Sequence, residues 1–426
     1  MSVTMLRNFH LRLVKTSLDK VSYDAKKSLP TRLYCSATSL ASPSHESTGF
    51  FRTSETNPVN LNEKHLGRFY SIDNEIYQKL YVQHHGFPLE YREQCKVFRE
   101  QLVLVRKPYL DLKRCVDAVD LKKPVVRFVL HGVFGSGKSM TLGSMAHYGY
   151  TKDFILIHLP WIPLWTRYCK EIVPSITREG FFDHTINAVA WLTNFKNQNI
   201  ELIQKLNLLT SKDYQWSKRE VTGQGSELLA IVEHGISRPA HATECMYAVF
   251  KELKTHSSEE KCKTMVLADG VNELFYPCKW IKGPDRKPVP PTQLTAYEAM
   301  KDLFKTDWTG GVVIVTVDKA ALHPDFRESD LPRYLLKKEG WELFDPFVPI
   351  EVNNYTAQEV QTTIDYYLER KWLQHPASST EEGRLELEYL STRNPRTLME
   401  LCNSSGSSGT FLHLPFLSFR FTGFFR

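Results

Sequence analysis

From Val125 to Ser139 the chain reads VVRFVLHGVFGSGKS, an apolar run that breaks into a glycine-rich loop and ends in Lys-Ser. The spacing fits G-x-x-x-x-G-K-[ST], with a strand pattern before the loop and a helix pattern after it. Glycines let successive N–H groups turn inward onto phosphate oxygens, and the helix opening at Lys138 adds its positive end. The residues expected to cradle a nucleotide are Gly132, Val133, Phe134, Gly135, Ser136, Gly137, Lys138, Ser139 and Met140. Lys138 would neutralise the β and γ phosphates, and Ser139 would place its hydroxyl on Mg2+. The bland alternative is a glycine turn that binds nothing.

Further apolar runs place the loop in an alternating strand and helix chain. Phe154 to Leu159, Thr264 to Asp269, Val312 to Val317 and Phe347 to Val352 join the run before the loop as strands. Five such strands with interposed helices predict an α/β fold whose parallel sheet is covered on both faces. TMVLAD ends in Asp269, the pattern in which a carboxylate at the strand's C-terminal edge reaches Mg2+. Thr316 and Asp318, at the end of the fourth strand, read either as sensors of the γ-phosphate or as a strand cap. The residue after Asp269 is Gly270, where a hydrolytic motor needs a carboxylate to orient water, and Glu273 stands three residues further on.

From Tyr355 the pattern is helical throughout. Thr356 with Glu359 makes a capping box, Thr380 opens a second helix, and Asn394-Pro395-Arg396 begins a third, together a small lid. Arg396, at a helix start, is a candidate for swinging onto the phosphates, with an ordinary surface arginine as the alternative. Ahead of the loop, Ile72 to Asp117 repeats apolar residues at three and four and predicts helices cut by Pro88 and Pro108. The aromatics Trp161, Trp165, Phe181, Phe182, Trp191 and Phe195 predict core packing of helices. Tyr214 to Arg219, where two aromatics adjoin two bases, reads as a solvated helix end or an RNA contact. The basic, proline-rich loop from Pro277 to Pro291 reads as solvated or as a docking segment for RNA or protein.

The ends differ from the body. Residues 1–50 carry Arg7, Arg12, Lys15, Lys20, Lys26, Lys27 and Arg32 against Asp19, Asp24 and Glu46, and open on a basic amphipathic run, the pattern of a mitochondrial transit peptide or else a disordered polar tail. Their removal from the formal charge of +6 leaves 47 bases against 45 acids, so any RNA contact must be local and no DNA partner is expected. No stretch reaches the roughly 20 apolar residues of a membrane span. Eight cysteines without a C-x-x-C pair or companion histidine spacing argue against zinc and against a disulfide framework. These shifts divide the chain into 1–50, a helical extension at 51–120, a nucleotide domain at 121–353, the lid at 354–403, and a phenylalanine-rich tail at 404–426.

The chain resembles the family of mitochondrial ribosomal small-subunit protein twenty-nine, also called death-associated protein three. The resemblance rests on Leu104 to Pro108, the glycine loop, Trp191 to Lys196, Trp216 to Glu220, Asp269-Gly270-Val271-Asn272, Asp345 to Ile350, Tyr366 to Glu369 and Trp372 to His375. It implies a P-loop domain of AAA-like type with a helical lid, GTP or GDP with Mg2+, a place in the head of the mitochondrial small ribosomal subunit among its rRNA and neighbouring proteins in the matrix, and a link to apoptosis. Two features depart from that pattern: the tail from Ser404, and Val317-Asp318-Lys319-Ala320 where a guanine-reading N-K-x-D would stand, which leaves ATP open.

Three functions compete: a ribosomal subunit that holds a nucleotide, an AAA-like ATPase or GTPase switch or motor acting off the ribosome, and a small-molecule kinase. With Gly270 in place of an acid, slow or absent turnover is expected. A kinase would follow its P-loop with arginines in a mobile lid over the acceptor, whereas this lid offers mainly Arg393 and Arg396, which puts that reading last.

Overall fold

Five runs of mostly apolar residues become one parallel sheet. The computed structural model describes residues 51–404 apart from 84, 278, 279, 284 and 285. The expected transit peptide at 1–50 and the tail after Ser404 lie outside the described residues.

In chain order the elements are β1 (Phe69–Ser71), α1 (Asn74–Tyr77), α2 (Leu89–Phe98), β2 (Leu102–Leu104), α3 (Lys107–Asp117), β3 (Val126–His131), α4 (Lys138–Thr151) and β4 (Phe154–Leu159). A two-stranded ribbon follows, β5 (Val173–Pro174) and β6 (Phe182–Asp183), then α5 (Thr185–Leu206), a second ribbon of β7 (Tyr214–Gln215) and β8 (Val221–Thr222), α6 (Leu228–Ser237) and α7 (Ala242–Ser258). Last come β9 (Lys263–Ala268), α8 (Thr295–Leu303), β10 (Gly311–Thr316), α9 (Pro332–Phe344), β11 (Val348–Glu351), α10 (Ala357–Glu369), α11 (Glu381–Ser391) and α12 (Pro395–Ser404).

The sheet runs β11-β3-β10-β9-β4, every neighbour parallel. Strand side chains alternate between two apolar cores. Val129, Ile155, Ile157, Val266, Val313 and Val315 face the core built with α5 to α8. Phe128, Leu130, Leu156, Met265, Leu267, Val312 and Ile314 face α3, α4 and the N-terminal extension. Burial on both faces is why these strands read as unbroken hydrophobic runs. Successive strands after β4 step inward to β10, and β11 then lands on the far side of β3. The loop after β3 therefore sits where the winding reverses, at the C-terminal edge of the sheet, the place such sheets present to a ligand.

A third core binds the extension to the lid. Phe69, Phe98, Leu102 and Leu104 pack with Val360, Ile364, Tyr366, Tyr367, Leu387 and Leu398. Here the helical reading of Ile72 to Asp117 needs correction: β2 interrupts it and pairs antiparallel with β1, Tyr70 opposite Val103. The strand won because its three residues are all buried, whereas a helix there would have exposed part of its circumference. Tyr214 to Arg219 is likewise no helix end but the first strand and turn of the second ribbon, with Trp216 buried and donating to Thr222 at 2.9 Å. The aromatics of α5 are core residues as expected, Trp191 lying on Phe195 and against the edge of Phe250.

Candidate functional site

The loop after β3 turns through three glycines with positive φ: Gly132 at +142°, Gly135 at +82° and Gly137 at +103°. A side chain at Gly132 would strike the Val352 carbonyl, and one at Gly135 the Asn394 amide oxygen, so both positions exclude a Cβ by space as well as by backbone. The hydroxyl of Ser136 is fully buried and meets no hydrogen-bond partner among the described residues. α4 starts at Lys138, and the first N–H groups of any helix lack partners within it. A concave run of donors at a helix N-terminus favours an anion.

Lys138 is nearly inaccessible, at 3% exposure. Its ammonium donates to the carbonyls of Gly132 and Val133 at 2.7 and 2.8 Å and lies 2.8 Å from Oδ2 of Asp318. Ser139 donates its hydroxyl to Oδ2 of Asp269 at 2.6 Å, joining residues 130 positions apart in sequence. Thr316 donates to the other oxygen of Asp269 and accepts from the Gly270 N–H at 2.9 Å. Burial pushes the Asp269 carboxyl up to about 6, against the pull of the Ser139 and Thr316 hydrogen bonds; Asp318 adds to the rise and Lys138 opposes it. The chain thus gathers a hydroxyl and a carboxylate as hard oxygen donors beside a buried ammonium, a donor set suited to Mg2+.

Asp318 caps the turn at Lys319–Ala321 through its bond from the Ala320 N–H at 2.7 Å, and its backbone is bracketed by the Asn272 side chain at 3.0 and 2.9 Å. Asn272 so ties the ends of β9 and β10 together. Glu273 turns away: it accepts from Thr166 at 2.9 Å and lies 3.7 Å from Nε of Arg167, with burial pushing its carboxyl up to about 7.

Arg106 closes the loop from the extension side. Its Nη1 donates to the Ser136 carbonyl at 2.6 Å, its Nη2 to the carbonyls of Asn353 and Asn354 at 2.7 and 3.2 Å, and its Nε to Glu359 at 3.3 Å, while the guanidinium lies over the Tyr355 ring. From the lid, Asn394 donates to the Phe134 carbonyl at 2.8 Å. Arg396 meets the loop through its backbone N–H on Gly135, whereas its guanidinium covers the Phe134 ring and pairs with Glu90 at 2.6 Å and Glu400 at 2.8 Å. Met140 is half-buried and, with Gly137, Arg106 and Tyr355, lines a cavity of about 80 Å3. A larger hollow, about 640 Å3, opens at the opposite edge of the sheet beside Arg127, whose donors go to carbonyls of Leu343, Asp345 and Pro346.

The family of mitochondrial ribosomal death-associated protein 3 matches residues 103–401, which include every residue named in the loop and its surround except Glu90. The chain belongs to that family. Small ribosomal subunit protein mS29 of Bos taurus is 37% identical over 360 residues, 84% of this chain and 89% of the relative. The protein of the same name in Mus musculus is 36% identical over 353 residues, covering 83% and 89%. The Neurospora crassa protein of that name matches at 24% over 115 residues, 27% of this chain and 24% of its own length.

Within this member of the death-associated protein 3 family, Ser139, Asp269 and Thr316 are brought into one hydrogen-bonded group, and Lys138 pairs with Asp318 beside it. Arg106, Asn272 and Asn394 carry the surround and were not singled out as site residues from sequence. Asn394 had a signal as a helix cap before Pro395; its reach to Phe134 had none. Arg106 had only its place in the Leu104 to Pro108 stretch.

Proposed function

We propose that the protein is a structural component of the mitochondrial small ribosomal subunit, in the mitochondrial matrix, that holds a nucleotide with Mg2+ in a P-loop of AAA-like type and supports mitochondrial translation. The observation that carries the nucleotide reading is the contact of Ser139 with Asp269 at 2.6 Å beneath a glycine loop that also holds Lys138. Ser139 and Asp269 would hold the metal or its waters, Lys138 the phosphates, and the loop's N–H groups the remaining oxygens. The ribosomal reading is supported by the names of the mS29 relatives and by their coverage of most of the chain.

Holding rather than hydrolysis is favoured at two places. Gly270 supplies no base after Asp269, and Glu273 is committed to Thr166 and Arg167. The lid is anchored by an apolar core and by Arg106, an arrangement that suits a fixed seat better than a motor stroke. GTP or GDP is the nucleotide the family pattern favours, and ATP is the competitor.

The test is to sediment a mitochondrial lysate on a gradient and chromatograph the nucleotide released from the fraction that holds this protein. Co-migration with the small subunit and release of about one nucleotide per chain are expected. A Lys138→Ala chain that is free of nucleotide yet incorporates normally would overturn the role given to the nucleotide, and sedimentation apart from the subunit would overturn the ribosomal assignment.

A further inference from the structure

Outside the contacts of the glycine loop, three side chains from three elements converge. Glu220 stands in the turn between β7 and β8, His234 in the last turn of α6, and His241 in the short 3-10 turn Pro239–His241 that leads into α7. Nε2 of His234 lies 2.9 Å from Nδ1 of His241, and Oε2 of Glu220 lies 3.9 Å from that same nitrogen. One ligand atom from each residue lies within 4.8 Å of the others. A tetrahedral zinc ion with bonds of about 2.0–2.2 Å separates its ligand atoms by about 3.3 Å, so the two measured separations straddle the required value.

The surround holds the three in place. Arg238 donates to Oε1 of Glu220 at 2.9 Å and Ser217 to Oε2 at 3.3 Å, which orients the carboxylate. The Trp216 ring lies within 19° of parallel to His234, and the His234 and His241 rings meet edge to edge with planes within 9° of each other. Such outer contacts fix ligand rings in metal sites.

We infer that Glu220, His234 and His241 form a binding site for a zinc-class divalent cation, with water completing the tetrahedron. Two imidazoles and one carboxylate suit zinc rather than Mg2+, whose ligands are oxygens. The ion would cross-link the β7–β8 ribbon, whose strands have two residues each, to the corner between α6 and α7. The competing account is a histidine pair that shares one proton and binds no ion.

Purified full-length protein, stripped with a chelator that is then removed, is titrated with Zn2+ against a chromophoric competitor, and with Co2+ followed by visible absorption. The parent should take up zinc at a site that the His234→Asn, His241→Asn double variant weakens at least about a hundredfold. The tetrahedral Co2+ bands should vanish in that variant, and Zn2+ should raise the melting temperature of the parent alone. Absence of stoichiometric uptake by the parent, or equal uptake by a double variant that retains native circular dichroism, overturns the site. Should the double variant fail to fold, Glu220→Gln decides, since unchanged zinc affinity there also overturns it.

Discussion

Lys138 and Asp318 form a buried ion pair, Nζ to Oδ2 at 2.8 Å, at the spot where the loop would receive phosphate. The ammonium that would meet a nucleotide is therefore already neutralised by the chain's own carboxylate. Breaking a buried pair costs about 3–5 kcal/mol because one charge is left without its partner. Asp318→Asn should melt well below the parent when free of nucleotide, and added GTP·Mg2+ should restore most of the loss by supplying Lys138 with another anion. The check is a thermal melt with and without nucleotide; a variant that gains nothing from nucleotide refutes the exchange.

Asp269 makes the ligand-free fold sensitive to pH. Its carboxyl is raised from the ordinary 3.8 to about 6, so the fold favours the neutral form. That contribution is fully present below the unfolded value and is lost as pH rises through about 6. At pH 7.5 the ionised group costs the ligand-free protein up to about 3 kcal/mol. Asp269→Asn should accordingly melt higher than the parent at pH 7.5, with a gain that shrinks toward pH 4.5. Mg2+-dependent nucleotide affinity, measured by calorimetry, should fall in the parent below about pH 6 and be weak at every pH in the variant.

Arg106 links three segments through one guanidinium: the loop at Ser136, the chain at Asn353 and Asn354, and α10 at Glu359. Lysine offers a point charge where a planar fork is used. Both Arg106→Ala and Arg106→Lys should destabilise the fold, by about 3 kcal/mol or more for alanine, with little rescue by lysine. Chemical denaturation followed by tryptophan fluorescence measures both, and full rescue by lysine would show that charge alone matters.

Gly270 has φ +73°, and a Cβ there would meet Trp161 at 3.0 Å and Ala321 at 3.1 Å. A side chain at this position is thus strained by the backbone and crowded by its neighbours. Gly270→Ala should cost about 1–2 kcal/mol, and Gly270→Glu should melt lower without gaining nucleotide hydrolysis. Glu273→Gln should leave phosphate release under single-turnover conditions unchanged. A drop in that rate would make Glu273 the missing base.

Four of the five strands could be read because they are buried on both faces, and β3, β4, β9, β10 and β11 each begin and end within a residue of their apolar runs, although β11, at the edge of the sheet, buries only Ile350. The caps at Thr356 and Thr380 were equally local and form as their residue types require. The β1–β2 ribbon was hidden because three residues carry too little period to show, and their partner lies some thirty positions away. The same distinction separates the site residues. Lys138, Ser139 and Asp269 announce themselves by residue type after a strand, whereas Arg106 acquires its place from Glu359, 253 residues later. Glu220, His234 and His241 follow no metal-ligand spacing, and only the packing of a ribbon against a helix corner assembles them.

The core shared by Phe69, Phe98, Leu102 and Leu104 with Tyr366, Tyr367 and Leu398 has a consequence for biosynthesis. Its first half emerges from the translating ribosome well before its second half. At roughly 5–20 residues per second, the 253 positions between Arg106 and Glu359 amount to roughly ten to fifty seconds during which the early half has no native cover. A nascent chain halted before α10 leaves those phenylalanines and leucines as a chaperone's target, and the glycine loop gains its contact from Arg396 only when α12 has been made.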